Sequence, residues 1–245
     1  MTRFTPIAPA PQNRADQTCP TDILFKGEIT PSILCCPLCK SAPAPKTYHQ
    51  DKRRPYLQCA KCSLVFVPPA YHLSKKQEKA EYDLHRNNPD DTGYRTFLDR
   101  LFSPLRQRLP TASRGLDFGC GPGPALSMMF EEAGFPMAVY DPFYAQNPNA
   151  LAGRYDFITA TEVVEHLYNP ARDLQLLWGL LRCGGYLGIM TKRVLTKESF
   201  SRWHYTHDPT HVCFFSLATF QWLADHLNAD LEIICKDVIL LHKRG

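Results

Sequence analysis

The stretch GLDFGCGPGPALSMMFEEAG, residues 115–134, most narrows what this chain can fold into. A short apolar run meets three glycines, Gly119, Gly121 and Gly123, and then a segment with helical apolar spacing. Glycines at a strand-to-helix turn adopt backbone conformations closed to other residues and let a ligand lie against the main chain. The helix that follows offers unpaired N–H groups to a carboxylate or phosphate. The same rhythm continues downstream: strands at MAVYD and YDFITAT, then NPARDLQLLWGLLRCGG as an amphipathic helix with a Gly-Gly stop. Next come the strand YLGIMT, the helix LATFQWLADHL capped by Ser216, and the closing strands LEIIC and VILLHK. Strands alternating with helices predict an α/β fold with a doubly wound, mainly parallel sheet and an antiparallel hairpin at its end.

The front of the chain follows different rules. Cys36-Pro-Leu-Cys39 is followed, after 19 intervening residues, by Cys59-Ala-Lys-Cys62. A two-residue gap lets both thiolates of a tight turn face one ion, and two such turns complete a tetrahedral sulfur site for structural Zn2+. Four thiolates leave no open position, which argues against catalytic zinc. Cys35 is the alternative to Cys36, but the two-residue spacing favours Cys36. The other cysteines, 19, 120, 183, 213 and 235, read as core or incidental residues.

These signals divide the chain into four parts. Residues 1–32 are proline-rich and polar without sustained periodicity, which predicts a disordered or extended tail. Residues 33–68 form the zinc-ribbon-like module, closed by an apolar strand at SLVFVPP. Residues 69–111 form a helical connector. Its first helix opens on the capping pattern Ser74-x-x-Gln77. Its second carries Tyr94, Phe97, Leu98, Leu101 and Leu105 on one face, with Pro104 expected to bend or end it. Residues 112–245 hold the α/β domain.

Charge follows the same division. The chain carries +4 overall, but residues 33–68 carry six Lys/Arg against one Asp, while residues 112–245 carry 11 Lys/Arg against 14 Asp/Glu. A basic front on an acidic body can steer a negative partner, or simply keep a small module soluble. The start of the chain has no apolar segment of the signal-peptide kind, and the longest apolar runs are too short to span a bilayer. Cytoplasmic localisation and no membrane partner are the expectations. In a reducing compartment, ten cysteines point to metal rather than disulfides.

Asp141 ends the next strand, 18 residues beyond Gly123, where a carboxylate can bind both hydroxyls of a ribose. With that, several motifs in order resemble the class I methyltransferases that use S-adenosylmethionine (SAM). They are LDFGCGPG, YDP at 140–142, YDFITATEVVEHLYNP at 155–170 and LLRCGGYLGIMT at 180–191, with Cys183 in place of the usual proline. HDPTHVCFFS also resembles a stretch found after the fifth strand in a branch of this family, and paired CxxC modules stand at the front of some members. The resemblance implies a Rossmann-like fold. It implies that Gly119, Gly121 and Gly123 line the methionine part of SAM, that Asp117 supports the turn, and that Asp141 holds the ribose. Glu162 and His166 would stand at the mouth near the sulfonium and the acceptor, and Tyr94 would close over the donor. A nicotinamide fingerprint is disfavoured, because the spacing is G-x-G-x-G rather than G-x-G-x-x-G. Only 13 residues, 142–154, separate Asp141 from the following strand. That predicts a shortened connection where the family often has a third strand, and leaves the adenine contacts unassigned.

WHYTHDPTHVCFF places His204, His207 and His211 around Asp208. In such a fold the loops beyond the strands' carboxyl ends shape the ligand crevice. His207 or His211 can take a proton from the acceptor as the methyl arrives. A metal pair and plain loop histidines are the other readings, and Pro209 argues against the helix that usually presents such a pair. Trp203 and Tyr205 can stack on a planar acceptor or serve as buried packing.

The expected function is methyl transfer from SAM to a small molecule, such as a phenolic or quinone-like ring or a sugar. RNA is the second acceptor class, motivated by the basic module and its KRRPY segment. A non-catalytic SAM-binding scaffold is the third reading.

Overall fold

The computed structural model describes residues 34–42, 45–84 and 88–245; the expected tail at 1–32 and Cys19 lie outside them. In chain order the elements are β1 (Lys46–Gln50), β2 (Pro55–Gln58), β3 (Val65–Phe66), α1 (Lys75–Tyr82), α2 (Thr92–Arg106), β4 (Gly115–Phe118), α3 (Ala125–Glu132) and β5 (Met137–Tyr140). They continue with β6 (Tyr155–Thr161), α4 (Pro170–Leu180), β7 (Leu181–Met190), α5 (Lys197–Phe200), β8 (Cys213–Phe214), α6 (Leu217–Leu227), β9 (Ala229–Ile233) and β10 (Val238–Lys243).

The larger sheet has the strand order β5-β4-β6-β7-β10-β9. Its first four strands are parallel and its last two antiparallel, the Rossmann-like arrangement expected with its closing hairpin. β5 is the sheet edge. The chain returns from it to β6 through a single turn of 3₁₀ helix at Pro148–Ala152, which is the shortened connection expected from 13 residues.

Strand alternation explains the layers. Phe157 of β6, Met190 of β7 and Leu240 of β10 pack with Leu98, Leu101 and Leu105 of α2 and Phe130 of α3. Their neighbours Ile158, Ile189, Ile239 and Leu241 point to the other face, towards Leu174 and Leu177 of α4 and Phe220 and Leu223 of α6. Successive strand residues face opposite sides, so near-continuous apolar runs supply both layers at once.

Two local expectations change. Pro104 lies inside α2, which continues to Arg106, because proline in a helix's last turn removes little of its bonding. The Gly-Gly pair does not separate α4 from the next strand. β7 starts directly at Leu181, and its pairing jumps from Tyr155↔Leu181 to Phe157↔Tyr186. Residues 182–185 form an outward bulge there, with Gly184 at φ +76°. Ser74 and Ser216 cap α1 and α6 as the sequence indicates.

The cysteine module does not stand apart. β1 and β2 form a hairpin between the two cysteine pairs, and β3 adds to β2. The fourth strand of this small sheet is β8, from far down the chain, paired as Val65↔Phe214 and Phe66↔Cys213. One continuous core contains Tyr56, Leu64 and Phe66 of the module together with Phe200, Phe214 and Phe215. The cysteine module therefore shares a sheet and a core with the α/β body.

Candidate functional site

A cavity of about 980 Å³ opens at the carboxyl ends of β4, β5 and β6. At its floor Gly119 (φ +74°) and Gly121 (φ +64°) both take the left-handed conformation. A Cβ on Gly119 would lie 2.5 Å from Val163 Cγ2, so this position needs glycine for space as well as for backbone angle. Gly123 follows the same turn but lies outside the cavity lining.

Asp141, buried at the end of β5, organises this floor. One carboxylate oxygen accepts from Gly121 N–H at 3.0 Å. The other accepts from Phe143 and Tyr144 N–H at 2.8 and 3.0 Å. The side chain expected on a ribose thus also ties the glycine turn to the 142–144 turn. Asp117 lies beneath, fully buried and off the cavity. It accepts from Thr159 Oγ1 at 2.7 Å, and burial pushes its pKa up to about 6. Tyr94 and Phe97 of α2 stack at 6.3 Å and line one wall.

At the other end lie the groups that handle protons. Glu162 has φ +52° and its N–H donates to Met190 O at 2.7 Å, so its side chain turns into the cavity. Burial, opposed by Lys192, raises its pKa to about 7. His166 and His211 meet edge to face at 4.6 Å between ring centres, and both line the cavity. His211 Nδ1 lies 2.7 Å from Tyr205 O, and only an N–H can donate to a carbonyl. The proton is therefore on Nδ1, and Nε2, 3.6 Å from Asp208 Oδ2, is an acceptor. Burial, opposed by Asp208, pulls the His211 pKa below that of a free imidazole, so the ring is neutral at neutral pH. Beneath the pair, fully buried Glu165 accepts from Tyr205 OH, and its Oε2 finds no hydrogen-bond partner among the described residues. Burial and the neighbouring Glu162 push its pKa up to about 8, so it is mostly protonated at neutral pH.

The roof comes from α1. Tyr82 lines the cavity with its ring edge-on to His166 at 5.3 Å and to Phe143 at 5.6 Å, and Tyr144 OH donates to Asp83 at 2.7 Å.

Tyr94, Gly119, Gly121, Asp141, Glu162, His166 and His211 therefore meet in one cavity, with Asp117 and Gly123 supporting it. His207 is not brought there: it is exposed, and its carbonyl oxygen is held by Arg53. His204 lies apart, 3.0 Å from Lys192 Nζ. Trp203 and Tyr205 stack on each other at 4.8 Å, with Tyr205 buried, so packing is their use here. Sequence reasoning missed Tyr82, which carries no signal within a charged helix. It also missed Glu165, whose signal was available as a carboxylate inside the apolar stretch VVEHL.

The second site is the cysteine cluster. Cys36, Cys39, Cys59 and Cys62 bring their sulfurs within 4.8 Å of one another. Cys36 and Cys62 are 3.5 Å apart, and Cys39 and Cys59 3.4 Å. Four thiolates at about 2.3 Å from one zinc stand roughly 3.8 Å apart, so the spacing fits such an ion. The backbone makes the same turn twice. Lys40 (φ +55°) and Ser63 (φ +59°) each follow the second cysteine of a pair, and each donates its N–H to the first cysteine's carbonyl at 3.0 Å. The neighbouring Cys36 thiol draws Cys39 down to about 6, while neighbouring thiols push Cys36 and Cys62 up. Cys35 is not among the four. Of the other described cysteines, Cys120 and Cys213 are buried, Cys235 is half-buried and Cys183 is exposed.

A family model described as a methyltransferase domain matches residues 90–235. The chain belongs to the methyltransferase family. Its doubly wound sheet and glycine turn make this methyltransferase a class I, SAM-dependent enzyme. A comparison with curated protein sequences returns no match. Among solved structures, the methyltransferase is similar to the 1,6-didemethyltoxoflavin-N1-methyltransferase of Burkholderia thailandensis, solved with 1,6-didemethyltoxoflavin and S-adenosylhomocysteine (TM-score 0.46, 15% identity, covering 82% of this chain and 100% of that one). It is also similar to SAM-dependent methyltransferases from Archaeoglobus fulgidus (0.43, 18%, 62% and 100%) and Thermotoga maritima (0.41, 14%, 62% and 90%). No helix among the described residues is long and apolar enough to cross a membrane.

Proposed function

We propose that this methyltransferase acts on a small-molecule acceptor, a phenolic or quinone-like ring or a sugar, seated between Tyr82, His166, Asp208 and His211. The observation that carries this reading is the single cavity joining the glycine turn to the imidazole pair. At about 980 Å³ it lies at the upper end of the roughly 300–1,000 Å³ typical of small-ligand pockets, room for a donor and a compact acceptor. Its far end carries Glu162 and Asp208, which suits a neutral or protonated acceptor better than a polyphosphate. Of the cations that suggested RNA, Arg54 is buried and donates to carbonyls of the same chain, and Arg53 donates to a neighbouring carbonyl while remaining half-exposed.

Bound SAM supplies a methyl carbon already activated by its sulfonium. The chain's residues then hold, orient and deprotonate. Gly119 and Gly121 let the donor lie against the main chain, Asp141 offers the one lone pair left on Oδ2 to the ribose, and Tyr94 and Phe97 wall it in. His211 would take the acceptor's proton on Nε2 as the methyl carbon leaves the donor's sulfur for the acceptor, with S-adenosylhomocysteine as the leaving group, while Tyr205 O holds the ring in the required tautomer. Glu162 and His166 are the further groups at this mouth. We also propose that Cys36, Cys39, Cys59 and Cys62 hold a structural zinc ion.

The test is calorimetry of the full chain with SAM, followed by incubation of a cell extract with SAM labelled in its methyl group. SAM binding that is weakened at least tenfold by Asp141→Ala, with label in the small-molecule fraction, is expected. No detectable binding to the unmodified chain would sink the methyltransferase reading. Label confined to RNA would overturn the acceptor class, and binding without any incorporation would favour a scaffold.

A further inference from the structure

The cysteine module reaches the acceptor end of the cavity through one buried cation. Arg54 is 5% exposed, and its guanidinium meets the loop 206–209, which precedes His211, almost entirely through main-chain oxygens. Nη1 donates to Pro209 O at 2.8 Å, and Nη2 donates to Asp208 O at 2.8 Å and Thr206 O at 3.2 Å. Nε donates to Tyr56 OH at 3.1 Å. Arg53 adds donations to Thr206 O and His207 O at 3.0 and 2.9 Å, and Asp51 holds the turn by accepting from the N–H of both arginines. Below them Tyr56, Phe200 and Phe214 meet edge to face at 5.2 to 5.7 Å. Past the loop, β3 pairs with β8, and Val67 N–H donates to Val212 O at 2.9 Å.

The segment that carries Asp208 and His211 is thus gripped on both sides of His211 by the module. The α/β body holds its ends, through Tyr205 OH to Glu165 and Thr191, Val212 N–H to Glu165 O at 2.8 Å and Cys213 Sγ to Leu167 O at 3.2 Å, whereas the carbonyls of 206–209 are held by the module's arginines. A guanidinium is suited to this work. Its planar fork of five N–H donors can satisfy several carbonyls at once, whereas an ammonium presents a single point of charge. A loop with its own carbonyls unpaired would be mobile; this one has four consecutive residues' carbonyls, Thr206 to Pro209, bonded to arginines.

We propose that the cysteine module is a positioning element of the acceptor site, and that Arg54 is the residue through which it sets the loop bearing Asp208 and His211. This rests on the acceptor lying beside His166 and His211, as proposed above. Arg54 touches neither donor nor acceptor; it acts through the loop's main chain.

The experiment uses the full chain carrying ¹⁵N-labelled histidine, with Arg54→Lys, Arg54→Ala and Arg53→Ala. The readouts are the His211 ring tautomer by NMR, hydrogen exchange across residues 204–212, and the affinity for S-adenosylhomocysteine. The expected result for Arg54→Ala is loss of the single Nδ1–H tautomer of His211 and at least tenfold faster exchange in 206–211, with S-adenosylhomocysteine affinity within twofold of the unmodified chain. Arg54→Lys should loosen the loop nearly as much. Arg53→Ala, which removes a half-exposed grip, should speed exchange at 206–207 while keeping the tautomer. A folded Arg54→Ala chain with unaltered loop exchange and tautomer would overturn the proposal. So would loss of loop order and ligand affinity together with the whole fold in every variant, Arg53→Ala included. If the unmodified chain binds no S-adenosylhomocysteine, the methyltransferase reading fails while the loop readouts still decide the role of Arg54.

Discussion

Replacing Glu165 by glutamine should make the protein more stable at alkaline pH and leave it nearly unchanged in acid. Glu165 is completely buried, and its folded pKa stands at about 8 against an ordinary 4.5. A carboxyl whose folded pKa is raised binds its proton more tightly in the native state. Its stability contribution is therefore complete below pH 4.5 and is lost as pH rises through about 8. At about 1.36 kcal/mol per unit, the loss reaches about 3 kcal/mol at pH 7 and approaches about 5 kcal/mol above pH 8. Glutamine keeps the carbonyl oxygen that accepts from Tyr205 OH and has no charge to lose. Its NH2 replaces an Oε2 that already lacks a partner among the described residues, so the exchange adds no new unsatisfied group. Urea unfolding at pH 5, 7 and 8.5 measures the difference through the midpoint at constant slope. The gap between Glu165→Gln and the unmodified chain should widen with pH. A gap that stays constant from pH 5 to 8.5 would show that Glu165 ionises as freely in the fold as in water, and would refute the buried-acid reasoning.

Other outcomes follow from the same geometry. Gly119→Ala should abolish S-adenosylhomocysteine binding by calorimetry, since its Cβ would lie 2.5 Å from Val163 and the left-handed backbone costs about 1–2 kcal/mol for a non-glycine residue. Cys36→Ser should remove zinc measured by atomic absorption, whereas Cys35→Ser should keep about one zinc per chain, as four thiolates from two turns suffice. Once an acceptor is found, His211→Asn should lower kcat by a factor of about 10²–10⁴. The unmodified enzyme's rate should rise with pH only to somewhat below 6.5, where His211 becomes neutral, and then level off. A rate that climbs unchanged through pH 8 would point to a different base.

What the sequence determined by itself was whatever depends on close neighbours. Gly119 and Gly121 mark their turn because a left-handed backbone is a property of single residues. The two CxxC pairs mark theirs because two intervening residues bring two sulfurs to one side. Alternating apolar runs were enough for the doubly wound sheet, and the 13 residues after Asp141 were enough for the short return to β6. The histidine-rich segment was legible as a loop near the ligand crevice, but not its internal order. His211 faces the cavity and His207 faces solvent because the arginine-held loop at 206–209 and the pairing of β8 with β3 fix the course of the chain on either side of His211. Arg54 was beyond reach for the same reason, whereas Glu165 stood out only as a carboxylate inside the apolar stretch VVEHL. An arginine in KRRPY has no marked role until packing closes around it. The carbonyls that hold Arg54 lie more than 150 residues further along the chain. Only the tertiary structure turned Arg54 inward, because a guanidinium needs several acceptors at fixed angles, and those acceptors exist only once the loop at 206–209 has been folded against it.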